Sequence, residues 1–181
     1  GADRRPGSRI VPFMIKSLFE WVDTFESSIL IRESAYGFAG LLSIHVVSMA
    51  VFAGLILMMD LRLLGWGNNR IPVSRMQGRL FPWQMSAISI NAITGFVLIY
   101  SQPMRYYGKI FFWTKILLMV LAGVNALHFH LTTYKSVAQW DTDRILPPAA
   151  RRAGGFGLAL WAGVVIFGRL TAYNWIDSWT Q

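Results

Sequence analysis

The stretch SAYGFAGLLSIHVVSMAVFAGLILMM, Ser34 to Met59, runs without a single charged residue. A run of this kind closes its backbone hydrogen bonds internally as a helix, and roughly 20 such residues cross the hydrocarbon core of a bilayer. Three more runs follow, over residues 80–104, 112–134 and 154–175. Four spans of this length leave no room for a separate soluble domain. The predicted fold is all-α: an integral membrane four-helix bundle over residues 34–181, preceded by an N-terminal segment, residues 1–33.

That segment has its own pattern. From Ile10 to Ile29, Met14, Leu18, Trp21, Val22, Phe25 and Ile29 share one helical face, and Lys16, Glu20, Asp23 and Ser27 share the other. One apolar and one charged face predict an amphipathic helix lying in the membrane interface. The same charges interrupt IVPFMIKSLFEWVDTF too often for a signal-peptide core. Between the first two spans, Ser74 and Gln77 stand at capping-box spacing and predict a short interfacial helix from Ser74 to Phe81. Between the last two, Asp141 and Asp143 read as a solvated loop, and Pro147–Pro148 as a stop.

Composition narrows the function classes. Hydrophobic residues make up 54% and charged residues 14% of the chain, against about a quarter charged in soluble domains. The net charge of +8 sits mostly in the short segments between apolar runs, where membrane proteins hold lysine and arginine at the headgroups. No nucleic-acid partner is expected; the partners are the lipid bilayer and proteins of a larger membrane complex. With no cysteine, disulfides, thiolate metal sites, iron–sulfur clusters and covalently attached haem are excluded. There is no phosphate-binding glycine loop, nucleophile elbow or catalytic triad. Lysine and arginine are nearly balanced across the two faces, with a slight lean toward cytoplasmic loops between spans one and two and between spans three and four. Ala122 with Ala126, Ala159 with Gly163, and Gly168 with Ala172 are small-xxx-small pairs that permit close helix packing.

All three histidines, His45, His128 and His130, lie in the spans. An imidazole in lipid must pair, face the bundle interior or bind something. His128 and His130 are about 200° apart around a helix and cannot face one partner. His130 shares its face with Ala126, Gly123 and Met119, so it is expected inside and His128 outside. A b-type haem in a cysteine-free bundle needs histidine or methionine ligands. His45 and His130 are offset in depth by roughly 10 Å of helix rise, which helix tilt absorbs only in part and which counts against their simple pairing. Met49, one turn after His45, supplies an alternative, since imidazole plus thioether suits Cu(I), with Met85 and Met119 in support. Arg169 lies inside the fourth span, and with Lys115 and Arg32 on the same side it forms a candidate clamp for haem propionates.

The segments IRESAYGF…IHVVSMAVFAGLILMMDLRLLG, PVSRMQGRLFPW, KILLMVLAGVNALHFH and GRLTAYNWID occur in the order of an uncharacterised family of four-helix bacterial inner-membrane proteins. The chain resembles that family from Trp21 to Asp177. In layout it is also similar to CopD-type copper-resistance membrane proteins and to small di-histidine cytochrome b membrane subunits. The resemblance places a first-span histidine at His45. It places an Asn…Phe-His element at Asn125, Phe129 and His130, and a Gly-Arg…Ala-Tyr-Asn-Trp element at Gly168, Arg169, Ala172, Tyr173, Asn174 and Trp175. His128 is outside the pattern, and Ile44 stands where the pattern has a more polar residue.

The resemblance implies a multi-pass protein of the bacterial inner (cytoplasmic) membrane with haem or metal chemistry. The leading expectation is a haem b electron-transfer subunit, with His45 and His130 as ligands, His128 as substitute, and Arg169 on a propionate. It would exchange electrons with a quinone pool or dehydrogenase partner. The alternatives are a non-catalytic accessory subunit of a larger membrane complex, and a Cu(I)-handling protein using His45 and Met49.

Overall fold

A computed structural model of the chain describes residues 16–67, 69–143 and 145–171. Ile10 and Met14 at one end and Ala172, Tyr173, Asn174 and Trp175 at the other lie outside the described residues. Helices α1 (residues 16–23) and α2 (Glu26–Glu33) precede α3 (Ala35–Leu64), α4 (Val73–Ser101), the short α5 (Pro103–Tyr107) and α6 (Ile110–Leu131). A 3-10 turn (Thr133–Ser136), α7 (Val137–Trp140) and α8 (Pro148–Leu170) complete the order, and no strand occurs among the described residues. Four of these helices are long and apolar enough to cross a membrane, and the chain reads as a multi-pass membrane protein.

Four local expectations are corrected. The single N-terminal helix is broken at Thr24–Phe25, where the Thr24 hydroxyl bonds the Trp21 carbonyl at 2.7 Å and Phe25 is extended. Arg32 reaches back over the break to Asp23 at 2.8 Å, while Ser28 is fully buried with its hydroxyl on the Tyr100 carbonyl at 2.8 Å. The separate helix over Ser74–Phe81 does not form, because α4 continues through Pro82. Proline forfeits one backbone hydrogen bond, but the buried stripe of Met76, Gln77, Gln84 and Ala87 continues across it, and that packing outweighs the single bond. The first span does not stop at Met59. It runs to Leu64, where Gly65 takes the left-handed conformation (φ 81°) and Trp66 N–H bonds the Leu61 carbonyl, the Schellman pattern only glycine enters without cost. Asp60 and Arg62 are therefore inside the helix and buried, with Arg62 Nε bonding the Ile71 carbonyl at 2.9 Å. Pro148, finally, opens α8 instead of stopping the chain, as suits a residue whose missing N–H falls in the first turn.

Helix α4 is patterned inside out. It buries Gln77, Gln84, Asn91, Thr94 and Ser101 and exposes Ile93 (66%) and Phe96 (71%). A helix in water does the reverse; in lipid, polar side chains gain by facing partners inside the bundle.

Packing joins α3 to α4 and to α8, and α6 to α8, whereas α4 and α6 make no extensive contact. Glycines set the close approaches. A Cβ at Gly154 would stand 2.8 Å from Leu63 Cβ on α3, and one at Gly163 would stand 3.0 Å from Leu118 on α6. A dense core of Met59, Leu63, Val73, Met76, Phe129 and Trp140 closes the end of the bundle away from the termini. The α4–α6 seam stays open.

Asp141 is not a merely solvated loop residue. Its carboxylate accepts from the Ser74 backbone N–H at 2.7 Å and from the Ser74 hydroxyl, and its carbonyl accepts from Val73 N–H at 3.3 Å. It caps α4 from a distant loop. Asp141→Ala is expected to cost about 1–2 kcal/mol, as for other lost N-caps, and to lower the thermal unfolding midpoint in detergent; an unchanged midpoint would remove the cap from this account.

Candidate functional site

Two clefts lie along the open seam, one toward the face that carries the termini and one toward the opposite face. They share Met119 of α6. The first has a volume of about 740 Å³ and is lined by His45, Met49, Asn91, Gly95, Lys115 and Arg169, among others. The second, of about 540 Å³, is lined by Asp60, Gln77, Gln84, Asn125 and His130 among mainly apolar neighbours. Both volumes fall within the roughly 300–1,000 Å³ of small-molecule and cofactor sites.

His45 is held by α4. Its Nδ1 lies 3.0 Å from Thr94 Oγ1. The threonine hydroxyl has one proton, and Oγ1 sits 2.7 Å from the Ile90 carbonyl, which can only accept. Oγ1 therefore accepts from His45, the proton is on Nδ1, and Nε2 keeps its lone pair. Nε2 makes no hydrogen bond among the described residues. Asn91 fixes the backbone beneath, its Nδ2 donating to the His45 carbonyl at 2.9 Å. Gly95 lets the ring approach α4, since a Cβ there would stand 3.0 Å from His45 Cε1. An oriented imidazole with a free Nε2 is the usual form of a histidine ligand whose other nitrogen is anchored.

The end of this cleft near the termini is cationic. Lys115, Arg105 and Arg169 line it, and no carboxylate does among the described residues. Lys115 makes no ion pair among the described residues; its stem lies over Gly168, whose Cβ would meet Lys115 Cδ at 3.6 Å. Arg105 bonds Gln102 at 2.9 Å. Arg32, expected here, is instead committed to Asp23.

His130 is placed differently. Its Nδ1 is 3.2 Å from the Ala126 carbonyl and so carries the proton, while its Nε2 faces the Gln77 amide at 3.4 Å. Tyr134 stacks on the ring at 5.0 Å between centroids. Both nitrogens have protein partners. His130 is half-buried and His128 exposed, the orientation read from the helical faces. The structure brings His45, Met49 and Arg169 to one cleft and puts His130 in the other. No three of His, Asp and Glu converge as metal ligands among the described residues.

Thr94, Asn91 and Arg105 were not found from the sequence. A signal existed: Gln77, Gln84 and Asn91 repeat at seven residues, with Thr94 and Ser101 on the same stripe, marking polar groups turned inward from lipid.

The model of a family of unknown function, DUF6644, matches residues 18–174, nearly the whole chain, and the protein belongs to that family. No curated protein and no solved structure gives a significant match.

Proposed function

We propose that this DUF6644 member is an integral membrane subunit that binds one b-type haem in the His45 cleft and carries electrons within the bacterial cytoplasmic membrane. The observation that carries the reading is the single cleft holding an anchored imidazole with a free Nε2, two thioethers and a cationic end.

The residues fit the group. His45 Nε2 would hold the iron, and Lys115, Arg105 and Arg169 would neutralise the propionates, leaving the apolar walls to the macrocycle. Met119, on α6 across the seam, lines the same cleft as His45 and is a thioether from another element. The haem supplies one-electron chemistry. This chain fixes the ligand tautomer through Thr94, excludes water with lipid-facing helices, and sets the charge around the site. A quinone pool or a dehydrogenase partner is the natural source of electrons for a carrier confined to the membrane.

Cu(I) is the second reading, favoured by His45, Met49 and Met119 in one cleft. The three basic side chains weigh against a bare cation and toward an anionic ligand.

The test is a reduced-minus-oxidised visible spectrum of the protein expressed with ample haem and purified in mild detergent. A Soret band and redox-dependent visible bands at one haem per chain are expected. A flat spectrum with stoichiometric copper would establish the second reading, and a flat spectrum without metal would leave an accessory subunit of a larger complex.

A further inference from the structure

The second cleft contains a carboxylate that nothing in the fold accounts for. Asp60 is 8% exposed, and its Oδ2 is buried without a hydrogen-bond partner among the described residues. Its neighbour Arg62 is turned to the Ile71 carbonyl and does not pair with it. Room for the carboxyl is made by Gly157 on α8, where a Cβ would stand 2.6 Å from Oδ2 and 2.8 Å from Oδ1. A carboxylate taken from water and left without a partner is costly, so its retention in the wall of a cleft points to a ligand.

The other polar side chains in that wall are mainly amides. The Gln77 amide nitrogen is directed at His130, that of Gln84 at the Leu55 carbonyl at 3.5 Å, and that of Asn125 at the Ala153 carbonyl at 2.9 Å. Each of these amides holds an N–H on the protein, and the cleft wall offers their remaining polar valences and one buried carboxyl. The remaining wall is apolar and includes the aromatic side chains of Phe52, Phe81, Phe129 and Trp161. A hard inorganic cation takes about six or more close oxygens, and this wall is too apolar to provide them. One carboxylate among aromatic rings is instead the chemistry that holds an ammonium ion by charge and by cation–π contact.

We infer that this cleft binds an organic ammonium ion with an apolar body, its cationic centre against Asp60 and its body against the aromatic wall. The site is separate from the His45 cleft and stands whether or not haem is bound there.

The probe is benzyltrimethylammonium, titrated into the full chain in detergent with binding followed by calorimetry. Its uncharged isostere, neopentylbenzene, is the control. The cation is expected to bind at least tenfold more tightly than the isostere. Asp60→Asn should abolish that preference while leaving binding of the isostere in place, and Gly157→Ala, which displaces the carboxyl, should weaken the cation alone. Absence of cation binding, equal binding of cation and isostere by the unaltered protein, or full cation affinity in Asp60→Asn each overturns the inference. The comparison in the unaltered chain decides the matter even where a variant fails to fold. Haem loading is expected to be the same in both variants, so failure here is distinguishable from failure at His45.

Discussion

Alanine at position 45 is expected to abolish the Soret band of protein expressed with ample haem, while alanine at position 130 leaves loading intact. The two histidines part company because of their nitrogens. His45 has one anchored to Thr94 and one with no hydrogen-bond partner among the described residues, whereas His130 has both committed, to Ala126 and Gln77. Thr94 supplies the graded test. Valine there removes the acceptor that keeps the proton on Nδ1, and loss of such an anchoring partner lowers metal affinity by about 10–100-fold, or about 1.4–2.8 kcal/mol. Serine at the same position retains the hydroxyl and should restore most of the affinity. The Soret band reads the two alanine variants, and haem dissociation rates into an excess of apomyoglobin compare the two Thr94 variants with the unaltered protein. Haem retained by His45→Ala and lost from His130→Ala would move the site to the other cleft and overturn the assignment.

The largest expected effect on stability comes from Gly154→Ala. Its Cβ would stand 2.8 Å from Leu63 Cβ and 2.9 Å from the Asp60 carbonyl oxygen. Neither atom belongs to a flexible side-chain end, so α8 must move away from α3. Overpacking of a close seam costs about 1–3 kcal/mol and occasionally more, and a clash with backbone belongs at the upper end. Gly40 is the matched control, because a Cβ there meets nothing within 4 Å; Gly40→Ala should be neutral or slightly stabilising, given the helix propensity of alanine. Thermal unfolding of both variants in one detergent separates packing from propensity. Equal midpoints would mean that the α3–α8 seam yields without cost.

The sequence alone determined that this chain is helical and that four of its helices are long and apolar enough to span a bilayer. That information is local: a run of apolar residues states its length and its solvent without reference to its neighbours. The inward turn of His130 and the outward turn of His128 were legible for the same reason, since a face on one helix is a matter of 3.6 residues per turn. Tertiary structure decided the rest. Whether His45 and His130 meet depends on which helices pack, and the open seam between α4 and α6 is no property of either helix. The tautomer of His45 depends on a threonine 49 positions away, and the cap of α4 on an aspartate 67 positions from Ser74. Asp60 looked like the polar end of a span because it is the first charge after the apolar run and Arg62 follows two residues on. It is buried because Gly65 ends the helix later and Gly157, on another helix, leaves the space its carboxyl fills. Contacts of that range carry no periodicity along the chain, and only the folded packing of helix on helix brings them together.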